Sequence, residues 1–226
     1  MTEDATRRAA LIAAERQAEA LLAAIEEAKL IAAGRDERFI EDAIYALAEK
    51  QFNVARHWHK RIVRSGPNSV TIFSDKPPNR TVEADDVVYV DLGPVFEEWE
   101  ADIGRTYVLG NHPAKRSLVR DLERIFETVQ AHFHASPGIT GADLYAFAQA
   151  EAARSGWIFG GTIAGHIISE FGHTLLPGDK DRNRIDPLNV YPMSDLDSLG
   201  RVRHWILEIH LLDPSRTFGG FYERLL

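Results

Sequence analysis

Four carboxylates stand where this sequence would otherwise place core residues. Asp91 ends the apolar run VVYVDL, and Asp102 follows eleven positions later, ahead of another strand-like run. Glu208 lies in WILEIHLL and Glu223 in GFYERLL. If residues 87–92 and 101–109 form a hairpin turning near Phe96 and Glu97, Asp91 and Asp102 fall directly opposite each other. A second hairpin, turning at Ser215 and Arg216, sets Glu208 opposite Glu223. Cross-strand neighbours have Cβ atoms roughly 5 Å apart, and like charges facing there are destabilising. Apolar surroundings sharpen the repulsion, so a proton or a bound cation has to resolve it. Either pair alone also reads as an ordinary solvated strand end. Both pairs, with a histidine-bearing segment between them, make a ligand set for two hard or borderline divalent ions. Two such ions roughly 3.5–4 Å apart can activate a water and polarise a carbonyl.

The elements that must position these groups are legible in outline. Apolar positions recurring every three or four residues predict an amphipathic helix from Ala5 to about Ala33, closed by Gly34, within residues 1–35. Asp36 caps a second helix through about Lys50. Residues 53–70 read as extended, with SGPNS as a turn signal. The strand VVYVDL has neighbouring positions that are all apolar, so both faces are expected to be covered. Pro113 opens a helix over about 114–136, ended by SPG. Thr140 and Asp143 form a capping box for another helix through about Ser155. Gly-punctuated segments, a Pro- and Asp-rich excursion over 177–200 and two strand-like tails follow. Helices and mostly antiparallel hairpins segregated along the chain predict an α+β class. No linker breaks the 226 residues, which are expected to form one domain.

The pieces SGPNS, DDVVYVDLGP, ADIGRTYVLG, GHIISEFGH and the two Glu-bearing tails resemble, in that order, the pita-bread metallopeptidase superfamily. That superfamily includes methionine aminopeptidase, aminopeptidase P, prolidase and creatinase. The resemblance runs from about Ala20 to the C-terminus and covers the catalytic domain. It implies a curved, mostly antiparallel sheet backed by long helices. It implies the metal ligands Asp91, Asp102, His166, Glu208 and Glu223, holding two divalent ions, with Mn expected first and Co, Fe or Zn compatible. It further implies metal-assisted hydrolysis, in which Glu208 doubles as ligand and proton shuttle and His173 stabilises the developing oxyanion. The expected substrate is a peptide or small amide cleaved near its amino end.

Two positions depart from the family. A substrate-contacting histidine is expected five residues after Asn68, where Phe73 stands. Proline-specific members often carry another histidine four residues before the ligand histidine, where Thr162 stands. Phe73, Thr162, His173 and His210 are therefore the candidate substrate-facing residues. His57 and His59 could compensate, although surface placement is the more ordinary reading of RHWHK. His210 shares a strand face with Glu208, so it is either a support of the site or a core residue. The acidic run VFEEWEAD reads as a solvated turn. Arg105 and Thr106 read as strand bracing, and His132 and His134 as helix C-terminal charges.

The whole-chain properties narrow the classes. Net charge is −8, which argues against a nucleic-acid or membrane surface, and no run approaches the roughly 20 apolar residues of a bilayer span. The acidic start lacks a signal-peptide core, so the cytoplasm is expected. With no cysteine, any metal must sit on oxygen and imidazole. The long first helix is expected either to pack on the domain or to support a homodimer. Two other functions stay open on the same scaffold. One is specialised small-molecule chemistry, either creatinase-like C–N hydrolysis or a di-iron oxygen-dependent reaction. The other is a non-catalytic binding module.

Overall fold

The computed structural model describes residues 2–226 except 176 and 179. Helix α1 spans Glu3–Glu27, opened by Thr2, whose hydroxyl accepts from the Ala5 amide. It stops short of the expected end near Ala33. Lys29 turns to φ 52°, and the Arg35 guanidinium donates to the Lys29 and Leu30 carbonyls at 2.6 and 2.9 Å. The chain is thereby held in a turn before Gly34. Helix α2, Glu37–Phe52, starts at the expected cap, where Asp36 accepts from the Phe39 amide, and ends at Asn53 in the left-handed region.

Strands β1 (Arg56–His57) and β2 (Ile62–Ser65) follow, and then the chain departs from the extended path expected over 53–70. Gly66–Val70 coils into a 3-10 turn, closed by the Thr71 amide donating to the Asn68 carbonyl. The buried Glu37 carboxylate holds that turn. It accepts from the Ser65 amide at 2.7 Å, the Ser65 hydroxyl at 2.9 Å and the Asn68 side-chain amide at 2.9 Å. A charge placed where three donors converge is satisfied, so its burial is tolerated.

Strand β3 (Val87–Leu92) is buried at every position, as expected. The small strands β4 (Pro94–Phe96) and β5 (Trp99–Glu100) form the hairpin tip, and β6 (Ile103–Val108) returns beside β3. Helices α3 (Pro113–Ala135) and α4 (Gly141–Arg154) come next, the latter capped by Thr140 accepting from the Asp143 amide. Short strands β7 (Ile158–Phe159) and β8 (Ile167–Ile168) precede the long terminal pair, β9 (His204–Leu212) and β10 (Gly219–Leu225).

The main sheet runs β2-β3-β6-β10-β9-β7, with β8 on β9 and every pairing antiparallel. Alternation sorts its two faces. Val88, Val90 and Leu92 of β3 pack on Leu21, Leu22 and Ile25 of α1 and Ile40 and Ile44 of α2. Leu207, Ile209 and Leu211 of β9 pack on Leu118, Leu122 and Ile125 of α3 and Leu144 of α4. The helices thus cover one face and leave Tyr89, Asp91, Glu208 and His210 to the other, where they line a cavity. Each fully buried Leu or Ile in these layers contributes about 1.5–3 kcal/mol by removing apolar surface from water. Among the described residues, no helix is long and apolar enough to cross a membrane.

The Glu37 clamp gives the first test. Replacing Glu37 with Ala strands three buried donors, so unfolding free energy should fall by about 3 kcal/mol or more in urea titrations. A loss below about 1 kcal/mol would mean that the turn supports itself.

Candidate metal centre

The first hairpin's register corrects the sequence reading. Asp91 pairs with Gly104, not Asp102, and Phe96 pairs with Trp99, so the turn lies at Glu97 and Glu98. Glu97 adopts φ 57° and tightens the turn there. The shift is two residues along the partner strand, which preserves the face because side chains alternate with period two. Asp102 therefore still faces the same way as Asp91, diagonally rather than directly.

Gly104 also pairs with Glu223 of β10, and Glu223 pairs with Glu208 of β9, in the second register expected from sequence. Asp91, Gly104, Glu223 and Glu208 consequently form one row across four adjacent strands. The glycine at its centre is a packing necessity. A Cβ there would meet the Phe221 ring at 2.5 Å and the Glu223 Cβ at 3.1 Å. His166 enters just ahead of β8, where the Ile206 amide donates to the His166 carbonyl and ties it to β9.

The side chains converge. Asp91, Asp102 and Glu223 are 8%, 4% and 2% exposed, while Glu208 stays partly open to the cavity. His166 Nε2 lies 3.3 Å from Asp102 Oδ2 and 4.0 Å from Glu208 Oε1, and its Nδ1 faces the Ile167 carbonyl at 2.7 Å. Glu223 Oε2 is buried with no hydrogen-bond partner.

Electrostatics follow from this crowding. Burial raises the Glu208 carboxyl to about 8, His166 draws it back, and Asp102 and Asp91 push it further up. Asp91 rises to about 6, through burial first. Glu223 is raised well above the carboxylate range by burial and by Asp102 and Glu208. Asp102 is the exception. Burial pushes it up as well, but contact with His59 and His166 holds it below its ordinary value. Carboxyls driven toward neutrality by burial and by one another, and one orphaned oxygen among them, are the signs of a site that accepts cations. The donor set of oxygen and imidazole suits hard or borderline divalent ions.

Two groups at the site were not placed there by sequence. His59, left open between a surface position and a compensating role, lies inside, with Nε2 3.1 Å from Asp102 Oδ1 and 3.4 Å from Asp91 Oδ1. Burial disfavours its charge, yet the two aspartates outweigh that and raise it to about 9. Its only sequence signal was the vacancy left by Phe73. Glu100, assigned to a solvated turn, is 1% exposed; the solvated part is Glu97 and Glu98 alone. Glu100 accepts from the Gly172 amide at 2.9 Å and makes a short contact with His173 Nδ1. No spacing signal marked it. His57 remains outside the cavity, 4.3 Å from the Tyr45 ring, and burial pushes it down to about 4.

The remaining expected residues are also placed. His173 lines the cavity, its ring stacked 5.7 Å from that of His166. Phe73 and Thr162 lie on the wall, and His210 is buried there, pointing Nε2 at the Ser69 carbonyl 3.0 Å away. Thr106 braces β6 to β10, with its hydroxyl donating to the Phe221 carbonyl, while Arg105 reaches Glu26 of α1. His132 stacks on Phe147 at 3.8 Å, away from the site. The cavity, about 470 Å³, also has Trp58, Ile62, Tyr89 and Phe221 on its walls. That volume suits a small ligand rather than a folded protein.

Comparisons with known proteins agree with this fold. The model of metallopeptidase family M24 matches residues 7–184. The Xaa-Pro dipeptidase of Pyrococcus horikoshii is 31% identical over 159 residues, covering 68% of this chain and 38% of that protein. This chain therefore spans well under half the length of the curated relatives it matches. The prolidase structure from Pyrococcus furiosus superposes with a TM-score of 0.72 at 19% identity, over 100% of this chain and 60% of that one. The X-Pro aminopeptidase structure from Thermotoga maritima gives a TM-score of 0.71 at 23% identity, over 99% and 58%. The architecture is the pita-bread fold, and the chain belongs to metallopeptidase family M24.

Proposed function

We propose that this chain is a dinuclear metal-dependent hydrolase that cleaves a peptide or small amide bond near its amino end. The observation that carries the reading is the convergence of Asp91, Asp102, His166, Glu208 and Glu223 at one cavity, with a Glu223 oxygen left unpartnered. Those five residues are the proposed ligands. Manganese is the proposed ion because the set is rich in carboxylate oxygen, and Co, Fe and Zn are compatible with it. When bound, divalent ions supply Lewis acidity, lowering the pKa of water and polarising a carbonyl.

The protein's own groups do the rest. Glu208, partly open to the cavity and ionised when it serves as a ligand, accepts a proton from the attacking water and delivers it to the leaving amine. His173 faces the carbonyl oxygen of the substrate. Glu100 holds its Nδ1 and so fixes the orientation of the ring. The imidazole stabilises the negative charge that develops as the carbonyl is attacked. Trp58, Phe73, Tyr89 and Phe221 supply apolar wall that limits water.

The name Xaa-Pro dipeptidase, borne by the relatives, suggests a dipeptide substrate. Phe73, where relatives present a histidine, and Thr162, where proline-specific members often do, favour a second reading: a non-peptide C–N bond, or di-iron oxygen-dependent chemistry, on the same scaffold. A screen of Xaa-Pro dipeptides, other peptides and non-peptide amides, with and without oxygen, separates the two.

Two predictions follow from the assigned roles. Protein purified without chelator should carry divalent metal by elemental analysis, and Asp102→Ala and His166→Ala should each lose it together with hydrolysis. Unchanged metal content in both variants would end the proposal. The Glu100–His173 pair should act on chemistry alone. His173→Ala should lower kcat by about 10²–10³. Glu100→Gln should lower kcat by about ten- to a hundredfold. Metal content should be unchanged in both, and a drop in bound metal would reassign the pair to the metal centre.

A further inference from the structure

We propose that His59 is itself a ligand of the metal centre, contributed by the loop between β1 and β2, on the ion held by Asp91 and Asp102. The proposal rests on the dinuclear reading above.

The distances are those of donors that share a cation. Atoms bound to one ion at roughly 2.1 Å, with angles near tetrahedral or octahedral, lie about 3–3.5 Å from each other. His59 Nε2 is 3.4 Å from Asp91 Oδ1 and 3.1 Å from Asp102 Oδ1. On the other side of the same aspartate, His166 Nε2 is 3.3 Å from Asp102 Oδ2. Two potential three-donor groups result: His59, Asp91 and Asp102, and Asp102, His166 and Glu223. They share Asp102, so the carboxylate has one oxygen directed toward each imidazole.

The ring is fixed in the orientation that ligation needs. Its Nδ1 lies 2.6 Å from the Lys60 carbonyl, which can only accept, so Nδ1 carries hydrogen. An arriving cation would then take the place of the proton on Nε2, meeting its lone pair and the same two carboxylate oxygens. His166 repeats the device with the Ile167 carbonyl. The loop is anchored to the backbone beside each aspartate, two residues after Asp91 and one before Asp102. The Trp58 amide donates to the Gly93 carbonyl at 2.9 Å, and Trp58 Nε1 donates to the Ala101 carbonyl at 3.1 Å. Gly93 makes room: a Cβ there would lie 2.2 Å from His59 Cδ2 and 2.5 Å from Nε2. With the side chain only 7% exposed, the imidazole is enclosed at the site and has no bulk water to turn toward.

A second imidazole has a chemical consequence. It shifts the donor set from carboxylate oxygen toward nitrogen and makes borderline ions such as Fe, Co and Zn stronger competitors with Mn.

The test is titration of the metal-free full chain with Co2+, following binding by calorimetry and the visible cobalt spectrum, for wild type, His59→Ala and His57→Ala. The wild type should bind two ions. His59→Ala should bind one of them about tenfold or more weakly, with an altered spectrum. His57→Ala, two residues away and outside the cavity, should match wild type. Circular dichroism checks folding, and if His59→Ala does not fold, His59→Gln is read by the same spectrum. A wild type that takes up no cobalt defeats the dinuclear reading and this inference with it. Two ions bound with unchanged affinity and spectrum in His59→Ala defeat this inference alone. Tighter binding in His59→Ala also defeats it, because the imidazole would then be displaced by the ion rather than bound to it.

Discussion

Carboxylates that repel one another in a place water barely reaches are the constraint around which this molecule is organised. Moving a carboxylate from water into the interior costs several kcal/mol even after relaxation, and Asp91, Asp102 and Glu223 are all buried beside Glu208. Histidines offset part of that cost, and Asp102 is held ionised by two of them. Glu223 has no such relief at one of its oxygens. A chain that keeps this arrangement needs positive charge delivered from outside.

The scaffold is consistent with that need. Antiparallel pairing puts Asp91, Gly104, Glu223 and Glu208 in one row, and the helix layers behind the sheet stiffen the strands that carry it. Loops complete the wall. The 3-10 turn at Gly66–Val70, fastened by Glu37, gives its Ser69 carbonyl to His210 and its Ser69 hydroxyl to the Gly219 amide, so the turn is tied to both terminal strands. Strand pairing therefore sets the register of groups remote in sequence, and a few saturated polar contacts fasten the wall loop to it.

Much of this was visible in sequence, for identifiable reasons. A carboxylate at the end of VVYVDL conflicts with its own surroundings, and the conflict marks a site whatever the tertiary structure. Capping chemistry at Asp36 and Thr140 is local, so those helix starts were legible. The first hairpin's register was not, because a positive φ at Glu97 moved the turn and no turn residue such as glycine announced it. His59 and Glu100 were hidden for a different reason. Nothing within five residues of either distinguishes a solvated charge from a buried one, and only the fold brings them to Asp102 and His173. The first helix ended early because Arg35, beyond its end, satisfies carbonyls that a longer helix would have used.

Family membership and local chemistry answer different questions here. The pita-bread fold explains how the row of carboxylates is built, whereas Phe73, Thr162 and His59 line the cavity and shape what it accepts. The central claim, that the buried carboxylates are reconciled by cations, is tested most directly by crystals grown with Mn2+ and measured for anomalous scattering. The account predicts two peaks between Asp91, Asp102, His166, Glu208 and Glu223. A cluster with no peak, its carboxylates neutralised by protons and by His59 alone, would contradict it.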